Sequence, residues 1–115
     1  MNEIERPKPN SARAVRTYPI APDRLLAAFG RAVETLPRWN AGSSEEGEVR
    51  AVRTTRLLRF RDDVKVRVLA EGAGAGAELT STSRIGKGDL DQNPRNIKEP
   101  LRAVEDDVLQ GQAQR

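Results

Sequence analysis

The spacing of apolar and polar positions changes several times along the chain, and each change marks an element. From Arg13 to Ile20 the residues alternate. Ala14, Arg16, Tyr18 and Ile20 share one face and Arg13, Val15, Thr17 and Pro19 the other, which predicts a strand that ends at the proline. From Ala21 to Leu36 the period becomes helical. Leu25, Leu26, Phe29, Val33 and Leu36 form one apolar face, Pro22 suits a first turn, Asp23 favours the positive end of the dipole, and Pro37 stops the helix. Trp39 to Ser44 and Glu48 to Thr55 read as two strands joined at Glu45-Glu46-Gly47, with Gly47 where positive φ is needed; the second exposes Arg50 and Arg53. Asp62 to Ala70 sets Val64, Val66 and Val68 against Lys65 and Arg67, and Glu78 to Arg84 is the last strand. Between them, Gly72 to Ala77 is low-complexity. It lacks the Gly-Lys-Ser/Thr ending of a phosphate loop and joins two strands, so it reads as a loose hairpin connection. After a loop over Ile85 to Gln92, Asn93 reads as a helix cap with Pro94 in the first turn. Ile97, Leu101, Val104 and Val108 follow as one stripe, which Pro100 is expected to kink or to delay.

The order is therefore strand, helix, several strands, helix. Short connections predict an antiparallel meander, and one apolar stripe per helix predicts that both helices pack on the same face of the sheet, giving a two-layer α+β domain. Leu25, Phe29, Val33, Ile97, Leu101 and Val104 should be buried against it. In 115 residues one domain is expected, placed at 12–109, with a disordered arm at 1–11 and a frayed tail at 110–115.

Composition narrows the chemistry. With two Phe, one Trp and one Tyr, the core must be aliphatic, and a large aromatic-lined pocket is not expected. There is no Cys, which excludes disulfides, thiolate metal sites and a cysteine nucleophile. There is no His, which removes Ser-His-Asp chemistry and zinc held by nitrogen or sulfur. Carboxylate binding of magnesium stays open. No apolar run reaches the roughly 20 residues of a membrane helix, and the polar N-terminus has no secretory stretch, so a cytoplasmic protein is expected. The net charge is only +3, although five arginines and no acid fall between Val49 and Arg61 (Arg50, Arg53, Arg56, Arg59 and Arg61).

One edge of the sheet collects the candidate chemistry. If the last two strands pair as a hairpin, the start of the first lies beside the end of the second. Asp62 and Asp63 then meet Ser81, Ser83 and Arg84, and Asp89 and Asn93 follow in the next loop. Adjacent residues of a strand point to opposite faces, so the two aspartates do not converge as an acid–base pair. One is expected in turn or cap hydrogen bonds, and Arg84 is expected to pair with Asp62, Asp63 or Asp89. A serine nucleophile would need Lys87 or an aspartate as its base, and no motif supports either.

At Phe60-Arg-Asp-Asp-Val64 and Ser81-Thr-Ser-Arg-Ile-Gly86, with Asp89 and Asn93 beyond, the chain resembles the family catalogued as domain of unknown function 1499. That family's pattern is an aromatic residue before Asp-Asp-Val, then Arg-Ser-x-Ser-Arg-x-Gly-x-x-Asp-x-Gly-x-Asn, then a helix. The resemblance covers roughly residues 12–109. It departs at Thr80, where the pattern has Arg, at Asp91, where it has Gly, and at Pro100 in the final helix. It implies a fold and a shared site, and no settled activity.

Three functions fit these residues: a non-catalytic binding or interaction module with an unknown ligand or protein partner, using Asp62, Asp63, Ser81, Ser83, Arg84, Asp89 and Asn93; a carboxylate- or metal-dependent enzyme at the same edge; and a nucleic-acid-associated protein using the Arg50–Arg61 run. The first is the principal reading, with no cofactor. Aromatic residues do not interleave with the arginines as they do in single-strand binders, which weakens the third.

Overall fold

The computed structural model describes residues 4–7, 11–45, 47–54, 61–84 and 92–113. They form β1 (Ser11–Tyr18), α1 (Pro22–Thr35), β2 (Trp39–Glu45), β3 (Glu48–Thr54), β4 (Arg61–Glu71), β5 (Gly74–Ser83) and α2 (Gln92–Ala113). The strands make one antiparallel sheet in the order β1-β5-β4-β3-β2. This is the α+β architecture that the periodicity predicts. β2 to β5 are a meander, and β1 joins its far edge beside β5 because the intervening helix carries the chain across the sheet.

Side-chain alternation separates two faces. On β4, Asp62, Val64, Val66 and Val68 are buried, while Arg61, Asp63, Lys65 and Arg67 are exposed. The register places Val64 across from Ser81 and Ala51, and Val66 across from Leu79 and Val49, so the inner row continues over neighbouring strands. Both helices lie over this inner face and touch each other, α1 chiefly against β2 to β4 and α2 against β1 and β5. Leu25, Phe29, Val33, Ile97, Leu101 and Val104 are all buried there, as expected. The positions beneath α2 are small (Ala12, Ala14, Ala75 and Ala77), which lets the helix approach the sheet closely.

The glycine-alanine run departs from the expected loose connection. Only Gly72 and Ala73 turn, while Gly74 to Ala77 belong to β5. Gly72 has φ +56°, as the first central residue of a type II′ turn requires. A Cβ built on Gly74 would run into the Tyr18 carbonyl oxygen, so a glycine lets β1 approach there. Composition concealed this strand because alanines that pack under a helix look like filler when read alone. Gly47 does adopt the expected positive φ, at +77°.

The course of α2 and one cap also differ. α2 runs without interruption through Pro100, whose ring is fully buried, and continues to Ala113. The missing N–H of Pro100 costs one helical hydrogen bond, and burial of the ring against the core offsets it. At the other end, residues 4–7 are held to the domain. Glu5 and Arg13 exchange backbone hydrogen bonds of 2.6 and 2.8 Å along the edge of β1. Asn93 is not the cap expected from its sequence context. The helix begins at Gln92, and Asn93 turns its side chain toward β5.

Tyr18, the single tyrosine, ends β1 and donates to Glu105 Oε1 of α2 at 3.5 Å. Burial, reinforced by the Glu105 charge, raises its pKa above the ordinary value. Below pH ~10 the hydroxyl keeps its proton in both the folded and unfolded chain; above that only the folded chain keeps it. Stability is therefore expected to fall as the pH climbs from there toward the raised folded value. Ultraviolet difference titration reads the one tyrosine directly, and ionisation at the value of a free phenol would contradict the contact.

Candidate functional site

The predicted edge exists, and the strand pleat divides it in two. Asp62 pairs in register with Ser83, and Asp63 with Thr82. Asp62 points to the inner face and is 1% exposed; Asp63 points out. The site residues expected to act together therefore fall into a closed inner cluster and an open outer pair.

The inner cluster is built by β4, β5 and the first turns of α2. Ser83 Oγ donates to Asp62 Oδ1 at 2.8 Å, and Asn96 Nδ2 donates to Asp62 Oδ2 at 2.8 Å. Asn93 Nδ2 donates to Ser83 Oγ at 2.9 Å. Ser81 Oγ donates to Asn93 Oδ1 at 2.5 Å and accepts from Asn96 Nδ2 at 3.0 Å. Gln92 Nε2 closes the set by donating to Asn96 Oδ1 at 2.8 Å. Asn93 and Asn96 are three residues apart on α2 and so reach the sheet from one helical face. Among the described residues no buried side-chain polar atom lacks a hydrogen-bond partner. Such a network is favourable when complete and costly when any member is lost.

The apolar pattern of α2 does not single out Asn96. The buried stripe of α2 includes Asn93, Asn96, Ile97, Pro100, Leu101 and Val104. Only its apolar members announce themselves, although the i, i+3 spacing of the two asparagines was a usable signal.

The outer pair is Asp63 and Arg84. Arg84 Nη2 donates to Asp63 Oδ1 at 2.9 Å and Nε to Oδ2 at 3.1 Å, a two-pronged arrangement. This is one of the pairings expected for Arg84. The contact with Asp63 raises the guanidinium pKa, first through the hydrogen bond. Both side chains are about half exposed, at 47% and 55%, so solvent screens the pair. Asp89, the remaining predicted member, lies outside the described residues.

The arginine run does not form one surface. Arg53 is buried on the inner face, contrary to its expected exposure, because it shares the period-two row of Val49 and Ala51. Its Nε donates to Glu99 Oε1 at 2.9 Å, and Trp39 Nε1 donates to the same oxygen at 3.0 Å. Glu99 thus ties α2 to β3 and β2. Arg50 faces outward and donates to Glu48 Oε1 at 2.7 Å. Arg56 and Arg59 lie outside the described residues.

Among the described residues there is no group of three or more acidic side chains placed to hold a metal ion, and no helix long and apolar enough to cross a membrane. The fold is shared with solved structures of low sequence identity. Protein TTHA0849 from Thermus thermophilus is 15% identical, covering 88% of this chain and 98% of its own, with a TM-score of 0.50. A protein from Rhodobacter sphaeroides is 12% identical, covering 93% and 97% of the two chains, with a TM-score of 0.56. These likenesses concern the fold alone. No curated protein matches the chain. A family model does match, over residues 2–104, and the two blocks at Asp62-Asp63 and Ser81–Arg84 fall inside it. On that match the chain belongs to the family described as protein of unknown function, DUF1499.

Proposed function

We propose that this protein is a non-catalytic binding module that offers the open face of its sheet to a partner. One observation carries the reading: among the described residues, the carboxylates and hydroxyls of the marked edge are engaged in hydrogen bonds and do not converge on a common space. Both oxygens of Asp62 accept hydrogen bonds, from Ser83 and Asn96, inside the core. Asp63 is on the opposite face with Arg84. Ser81 Oγ donates its hydrogen bond to an amide oxygen, which is no general base. Among the described residues the helices cover the inner face, and the outer face of the sheet is open to a partner. A cytoplasmic location belongs to the same proposal.

The test is a hydrolase and phosphatase panel run on the purified protein with and without Mg²⁺ or Mn²⁺. Asp63→Asn and Asp89→Asn serve as controls. No turnover is expected. Turnover that disappears in either variant would overturn the reading in favour of a carboxylate-dependent enzyme.

A further inference from the structure

We propose that Lys65, flanked by Arg50 and Thr80, forms a carboxylate-reading site on the outer sheet face, where an acidic, partly apolar segment of a protein partner docks. The inference rests on the binding-module reading and names its partner class.

The register creates the site. Arg13 on β1, Thr80 on β5, Lys65 on β4 and Arg50 on β3 occupy one transverse row. Neighbouring strands are about 4.8 Å apart, so Lys65 and Arg50 stand side by side as like charges, an arrangement unfavourable for the sheet by itself. Arg50 is neutralised by Glu48, and Arg13 by Glu78 at 2.6 Å and Glu5 at 3.4 Å. Lys65 makes no ion pair among the described residues. The Glu48 carboxyl is held below its usual range, first by its hydrogen bond from Arg50, with Lys65 and Arg67 adding their fields. An anion entering the row would meet the same field.

Shape agrees with charge. A hollow of about 350 Å³ lies over this row, lined by Arg50, Val52, Asp63, Lys65, Thr80 and Thr82. The Lys65 ammonium and the threonine hydroxyls are donors suited to a carboxylate. Asp63 lines the hollow too, but its charge is engaged by Arg84.

Two features favour a protein segment over a nucleic acid. Val15 and Leu69, 42% and 58% exposed, sit on the same outer face within two rows of Lys65, so apolar contact adjoins the charged contact. The described outer face carries no aromatic ring for base stacking, and Glu48, Asp63 and Glu78 interrupt any continuous phosphate track.

The experiment is an amide NMR titration of the full chain with a synthetic peptide of Glu-Leu repeats. Its Gln-Leu counterpart and a random single-stranded oligonucleotide are run in parallel. Saturable shifts are expected at Arg50, Lys65, Leu69 and Thr80, weakened by salt and absent with the glutamine peptide. Lys65→Glu should weaken binding about tenfold, while Lys65→Arg should retain it. Lys65→Gln replaces Lys65→Glu if that variant does not fold. Binding that ignores these changes, the absence of saturable shifts, or tighter binding of the oligonucleotide to the same residues would overturn the inference. The two proposals fail separately. Turnover in the enzyme panel removes the binding-module reading, whereas failed peptide binding in a catalytically silent protein removes only the carboxylate site.

Discussion

Replacing Asn96 by Ala is expected to destabilise the fold by about 2–4 kcal/mol, more than a solvent-facing polar residue would. The side chain donates to Asp62 and Ser81 and accepts from Gln92, and it has no exposed surface. Alanine would leave Asp62 Oδ2, on a carboxylate 1% exposed, without the donor that satisfies it. It would also leave a small cavity between α2 and β5. Arg84→Ala is the contrasting case. It removes a screened pair on the outer face and should leave the urea midpoint almost unchanged. Equilibrium urea unfolding of both variants checks the pair of expectations. Equal midpoints would mean that the inner network does not hold the helix to the sheet.

The second large effect is expected at Phe29. It is one of only two phenylalanines in the chain and the largest fully buried side chain among the described residues. The core cluster it belongs to is mostly valines and alanines, which have little reach to refill the space it occupies, with Leu25, Trp39, Leu79, Ile97 and Leu101 as its other larger members. Phe29→Ala should therefore cost about 3–5 kcal/mol, the upper part of the large-to-small range, because the cavity cannot collapse. Leu26 is one turn away and only partly buried, so Leu26→Ala should cost clearly less. Thermal unfolding of the two variants decides it, and similar melting temperatures would contradict this account of the core.

The two expectations draw on different kinds of information. Phe29 was legible because helical period and apolar character coincide, and burying such a stripe has one solution: packing it on a sheet. Asn96 was less so. Its i, i+3 spacing from Asn93 puts the two on one helical face, but its burial depends on partners 34 and 15 residues away in sequence, Asp62 and Ser81. Arg53 illustrates the same limit from the other side. Its position on the row of Val49 and Ala51 implied the inner face, but a guanidinium is buried only where a carboxylate waits, and Glu99 comes from the far end of the chain.

By itself the sequence determined the elements, the antiparallel meander with helices on one side, and the separation of Asp62 from Asp63. These follow from local period, from turn residues and from the pleat, which neighbouring residues enforce on one another. Tertiary structure alone decided that Gly74 to Ala77 is strand, that Pro100 is carried inside α2, and that Asn93 faces β5 instead of capping the helix. It also decided that the inner half of the polar edge is closed by its own hydrogen bonds. The physical reason is common to all four: each local preference is worth about 1–3 kcal/mol, and close packing or a completed buried network between distant segments is enough to outweigh it.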